Sequence, residues 1–163
     1  MLPLDITTIR TIAMPLVEEA EGLLARLTPD AGKRNQWNIG FGHGCDALEV
    51  EYWTGKTMRG DTARRMLEHD LWVASSECGR VLNSEGRGVY RDCAVVELMF
   101  ALGLPVFLDF VEFRGAWGAG EMDRAGYEVL DSAAAWGRLG GAGWGRARSC
   151  RLAHMVMFDG LKL

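Results

Sequence analysis

Glu21 and Asp30 stand nine positions apart, and the Gly-rich segment Asn38-Ile39-Gly40-Phe41-Gly42-His43 follows them. Glu21 closes Val17-Glu18-Glu19-Ala20-Glu21-Gly22, where a helical pattern ends. A carboxyl at a helix C-terminus meets the negative end of the helix dipole, which disfavours its charged form. Asp30 follows Thr28-Pro29, where an extended stretch must turn. Two carboxyl groups on separate elements can split a glycosidic bond, one protonating the leaving oxygen and the other activating a water.

The elements that must position these groups are legible from spacing. Asp5 can cap a short first helix through Ile12, and Pro15 suits the first turn of a second helix ending near Gly22. A region dense in Gly, Asn, Asp and Pro follows, and Leu24–Thr28, Trp37–Phe41 and His43–Cys45 are short enough for three antiparallel strands. Glycines at alternate positions 40, 42 and 44 leave one face without side chains, which suits close approach to a ligand. Ala63, Leu67, Leu71, Ala74 and Cys78 repeat at helical spacing, predicting a long helix from Asp61 to about Leu82. Val89–Gly103 is apolar nearly all round and reads as a buried central helix. Within it Glu97 needs a cation, for which Arg146 or Arg148 is available. Met122, Gly126, Val129 and Ala133 mark a further helix. Residues 137–145 form a Gly-rich loop, and a last helix runs from about Arg146 to Phe158.

Composition bounds the function. A chain of 163 residues with 48% apolar side chains can bury a sizeable core. The longest apolar stretch, from Ala94 to Phe110, is broken by Glu97, Pro105 and Asp109, so no membrane insertion is expected. The first residues lack a basic flank and an apolar signal core, so no secretory leader is expected either. Cys45, Cys78, Cys93 and Cys150 form no Cys-x-x-Cys pair and read as free thiols of a cytoplasmic protein. Residues 133–163 carry five Lys/Arg against one Asp, whereas residues 1–132 carry thirteen against twenty-one acidic groups. A basic C-terminal face could meet an anionic polymer, while the acidic whole argues against a nucleic-acid partner.

Glu21-Gly22-Leu23, an Asp nine residues after the Glu, and Ile39-Gly40-Phe41-Gly42-His43 together resemble the opening of the bacteriophage lysozyme family, the muramidases typified by the T-even coliphages. Met58-Arg59-Gly60-Asp61-Thr62-Ala63-Arg64-Arg65-Met66-Leu67 with Asp70 is similar to the family's connecting helix. Arg91-Asp92-Cys93-Ala94 and Met99-Phe100-Ala101-Leu102-Gly103 are similar to its central helix. Trp136 and Gly145-Arg146-Ala147-Arg148 are similar to its C-terminal segments.

The resemblance implies an α+β, mostly helical lysozyme-like fold in a single domain over residues 1–163. A small three-stranded antiparallel sheet lobe (22–60) would be joined by a long helix (61–82) to a helical lobe (1–21 and 83–163). It implies Glu21 as general acid, Asp30 as the base that holds the water, and Asn38 at the place of a water-positioning Thr. Phe100 would line the substrate cleft. His43 would pair with Asp70, and Arg146 would lie beside Glu21. Because a cation there favours the ionised carboxylate, Arg146 is assigned to positioning.

The chain departs from the family at four places. Asn38 replaces Thr, two extra residues separate Asp30 from Asn38, Ala101 replaces a polar amide, and the segment 44–58 is shorter, so a small helix of that lobe is expected to be missing.

The implied activity is an inverting muramidase that hydrolyses the β-1,4 bond between N-acetylmuramic acid and N-acetylglucosamine, for phage lysis or wall penetration. The alternatives are a transglycosylase or chitin-type relative, or an inactive wall-binding phage protein. Peptidoglycan would be the partner of a monomer held in the host cytoplasm before lysis and acting in the periplasm or on the wall. No cofactor is implied. Gly141-Ala142-Gly143-Trp144-Gly145 lacks the Lys-Ser/Thr ending of a phosphate loop, and His43-Gly44-Cys45 with His69 or His154 matches no zinc spacing, so no metal is expected.

Overall fold

The computed structural model describes residues 3–30, 35–82, 87–131 and 144–161, and of residues 144–146 it describes the backbone. Asp5 caps the first turn, its carboxylate accepting from the Thr8 backbone N–H at 2.9 Å and from the Thr8 hydroxyl at 2.8 Å. The chain then stays helical to Glu21, as α1 (Ile6–Thr8), a π-helical stretch (Ile9–Ala13) and α2 (Met14–Glu21). The expected break near Ile12 does not occur. The wider bonding of the π stretch, with the Met14 N–H on the Ile9 carbonyl, runs out just where Pro15 has no N–H to give.

Three strands follow, β1 (Leu24–Pro29), β2 (Trp37–Gly40) and β3 (His43–Cys45), antiparallel and in sequence order. Thr28 lies opposite Asn38, which lies opposite Gly44, and the β1–β2 register shifts between Leu24 and Thr28. The alternate glycines do not clear one face. Gly40 and Gly42 have φ of +66° and +87° and make the β2–β3 turn. At Gly44 a Cβ would sit 2.8 Å from Gln36 Nε2.

The small lobe also contains a helix that the shortened 44–58 segment was expected to lack, α3 (Ala47–Trp53). Asp46 accepts from the Leu48 and Glu49 N–H groups, and Glu49 reaches back to the Asp46 N–H. This reciprocal capping box lets two turns form in a short segment.

The long helix α4 (Gly60–Leu82) buries the stripe Ala63, Leu67, Leu71, Ala74 and Cys78, as its spacing requires. It touches β2 and β3 at one end and the helical lobe along the rest. In that lobe α5 (Val89–Leu102) is the buried centre. Around it lie α6 (Leu104–Asp109), α7 (Val111–Ala119), α8 (Met122–Asp131) and α9 (Trp144–Phe158). The architecture is α+β, with a small antiparallel sheet and a long helix leading into helices. Among the described residues no helix is long and apolar enough to cross a membrane. All four cysteines are free, with Cys78 and Cys93 buried.

The start of α5 and the end of α9 cap each other. Arg91 donates to the carbonyls of Val156 and Met157, each at 2.7 Å, so a cation sits on the last turn of α9. Asp159 in turn accepts from the Tyr90 and Arg91 N–H groups at 3.0 and 3.1 Å, so an anion sits on the first turn of α5. Gly88 makes room for it. A Cβ there would lie 2.1 Å from Asp159 Oδ2, and the Gly88 φ of +126° suits glycine alone. Gly88→Ala is expected to combine backbone strain of roughly 1–3 kcal/mol with loss of a cap worth about 1 kcal/mol. Asp159→Asn keeps a residue type that tolerates the φ of +49° at this position and forfeits only the charge of the cap, so urea unfolding should rank Gly88→Ala below Asp159→Asn, and equal losses would refute the clash.

Candidate active site

A cleft of about 550 Å³ opens between the small lobe and the helical lobe, and Glu21, Asp30, Asn38, His43, Asp70 and Phe100 all line it. Each arrives from a different part of the chain. Glu21 is the last residue of α2, where Gly22 turns the chain away with φ of +66°. Asp30 directly follows β1, its N–H on the Gln36 carbonyl at 2.9 Å. Asn38 is on β2, and its Nδ2 donates to Asp30 Oδ2 at 3.1 Å, so the amide reaches the carboxylate despite the two extra residues.

Gly42 packs against the Glu21 carboxyl. A Cβ there would stand 3.3 Å from both Glu21 Cδ and Oε2. The β2–β3 turn therefore closes directly over the carboxyl, and a Cβ at position 42 would both crowd that carboxyl and strain the backbone at φ of +87°.

Among the described residues, the cation beside Glu21 is Arg148. Arg148 Nη1 donates to Glu21 Oε1 at 2.5 Å, and its Nε donates to Glu97 Oε1 at 2.8 Å. Arg151 Nη2 also meets Glu97 Oε1, at 2.5 Å. The inward face of α9 carries Arg148, Leu152 and Met155. The side chain of Arg146 and the whole of Trp136 lie outside the described residues.

His43 pairs with Asp70 as expected, Nδ1 to Oδ2 at 2.8 Å, and it has a second partner, Glu49, at 3.0 Å from Nε2. The hydrogen bond that His43 donates to Asp70, with the one to Glu49 and the charges of both carboxylates, outweighs partial burial and raises the His43 pKa to about 9. At neutral pH the ring is thus an imidazolium donating from both nitrogens, and it ties β3 to α3 and to α4. The capping pattern Asp46-x-x-Glu49 was the available signal for Glu49, since it turns that side chain back toward the strand.

Phe100 is half-buried at the cleft wall beside Ala101, where a polar side chain would have offered a hydrogen bond. Gln36, His69 and Glu77 also line the cleft and had no motif to mark them. Thr28 faces away from the role of water holder, its hydroxyl donating to the Arg26 carbonyl at 3.0 Å. Among the described residues no cluster of His, Cys, Asp and Glu could hold a metal ion.

A scan against protein-family models finds no match for this chain, and no curated protein is significantly similar to it.

Because the folded pKa of His43 lies above its ordinary value of 6.5, its pairing stabilises the fold fully below pH 6.5. That contribution declines as pH rises and is gone above about 9. Asp70→Asn should lower the His43 midpoint by NMR titration. It should also cost on the order of 2 kcal/mol near pH 6, after allowance for the solvent-facing part of the ring, and little above pH 9. An unmoved imidazole midpoint would refute the pairing.

Proposed function

We propose that this chain is a muramidase that hydrolyses the β-1,4 bond between N-acetylmuramic acid and N-acetylglucosamine in bacterial peptidoglycan, with inversion at the sugar carbon. The single observation that carries the reading is that Glu21, Asp30 and Asn38 come from three separate elements to line one cleft, with the Asn38 amide holding the Asp30 carboxylate. A saccharide chain lies along a groove between the lobes, and the bond to be broken sits between the two carboxyl groups.

Each group has one task. Glu21 gives its proton to the glycosidic oxygen as the bond from that oxygen to the sugar carbon breaks. Asp30 takes a proton from a water on the opposite face of the ring, and the water oxygen forms the new bond to the sugar carbon. Asn38 donates through Nδ2 to Asp30, which leaves its amide oxygen to accept from that water. An amide thus covers the role of the hydroxyl found at this place in the resembling family. Phe100 supplies an apolar wall for a sugar ring. The biological setting that fits such chemistry is phage lysis or wall penetration, with the protein reaching the wall from the host cytoplasm.

Glu21→Gln keeps the shape of the acid and removes its proton, and clearing of a bacterial wall suspension should slow by roughly 10²–10⁴-fold. Asp30→Asn should slow it within the same range, and Asn38→Ala by less. Products should carry a hydrolysed reducing end by mass spectrometry. Equal clearing by wild type and Glu21→Gln, or none from wild type, would reject the proposal. An anhydro-sugar end would replace hydrolysis by transglycosylation.

A further inference from the structure

The buried central helix holds a charge that the reaction above does not use. Glu97 stands in α5 between Val95, Val96, Leu98 and Met99, and all five are fully buried or nearly so. Its Oε1 takes both Arg148 Nε and Arg151 Nη2, while Oε2 has no hydrogen-bond partner among the described residues. Arg148 is only 4% exposed, and its Nη2 is likewise without a partner among them. A buried ion cluster with unfilled bonds is a poor stabiliser. Desolvation offsets the attraction, and apolar side chains of similar volume often do as well or better. Net stability gives little reason for a carboxylate at position 97 beyond fixing how α5 and α9 pair.

Charge gives one. A general acid must hold a proton at the working pH, so the charges set against the Glu21 carboxyl, Arg148 first among them, bear on its task. Glu97 places a negative charge on the other side of that same guanidinium, in low-dielectric surroundings where charges are felt strongly. It also engages Arg148 Nε, so Arg148 reaches Glu21 with Nη1 alone rather than with a two-pronged fork.

We infer that Glu97 is a positioning residue for the proposed cleavage. Through Arg148 it holds the Glu21 carboxyl at the cleft and balances the cation set against it. The inference rests on the muramidase reading.

The surrounding charges are few. Arg151 faces Glu97 and, at 3.9 Å, Glu19. Asp30, His43, Glu49, His69, Asp70 and Glu77 line the same cleft as Glu21. Among the described residues no hydrogen bond or ion pair joins Arg151 to Glu21, so it offers a separate handle on Glu97.

Two substitutions should move activity in opposite directions along the pH axis. Glu97→Gln keeps the volume and removes the compensating charge, so the alkaline limb of kcat/KM on peptidoglycan should move down by roughly one pH unit. Arg151→Gln removes a cation from the far side of Glu97, so the limb should move up. The double variant restores the charge count and should bring it back toward wild type. A loss of activity uniform in pH, with the limb in place for both single variants, would show Glu97 to be structural and overturn the inference. If Glu97→Gln does not fold by circular dichroism, Arg151→Gln decides alone, and an unmoved limb overturns the inference.

The pH midpoint of the Glu21 carboxyl ¹³C signal, read without substrate, separates this idea from the proposed function. Midpoints that shift between variants of a protein that cleaves no wall sink the muramidase reading and leave the charge coupling. Cleavage with unmoved midpoints does the reverse.

Discussion

A carboxylate in the middle of an otherwise apolar helix must find cations, and much of the helical lobe is arranged around that demand. Glu97 takes two arginines from α9, and this alone requires α9 to lie alongside α5 with positions 148 and 151 facing inward. The caps at the other end of the same pair obey one antiparallel register, with Arg91 on the carbonyls of Val156 and Met157 and Asp159 on the first turn of α5. The hydrophobic driving force is non-directional, whereas buried charges and orphan helix ends accept few partners. The polar contacts therefore set the register, and the burial of Val95, Leu98, Met99, Leu152 and Met155 supplies most of the driving force.

That register decides the cleft. Arg148 spans from Glu97 to Glu21, so the carboxyl at the end of α2 is held by the same guanidinium that joins α5 to α9. The opposite wall is held by a second charged knot, in which the His43 imidazolium joins Glu49 of α3 and Asp70 of α4. One knot belongs to each lobe, and α4 carries the contact between them. The two differ in solvent access. Arg148 is nearly sealed, while His43 is partly open, which makes the small lobe the pH-sensitive side.

Sequence reading and structure agree most closely where local chemistry dominates. The three strands are bounded by Gly, Pro and Asn, and they stand within a residue of where turn chemistry puts them. The stripe in α4 shows a clear helical period and is buried as read. Agreement fails where the outcome depends on partners distant in sequence. A carboxylate at position 97 does not say which cations of the last helix will meet it, because that depends on how α9 lies against α5 some fifty residues later. Likewise α3 was hidden by the shortness of its segment, although Asp46 and Glu49 carried the capping signature that makes a short helix viable.

By itself the sequence determined the list of chemical groups: two carboxyls nine residues apart, an amide ahead of a Gly-rich turn, and one carboxylate in an apolar helix. It also determined the elements that carry them, because periodicity, caps and turn residues act over a few positions. Only the tertiary structure decided that Glu21, Asp30 and Asn38 share one cleft, that Arg148 is the cation at Glu21, and that His43 serves two carboxylates. The physical reason is range. Secondary structure is set by neighbours along the chain, whereas the pairing of buried charges is set by which elements come together in space, and no local pattern records that choice.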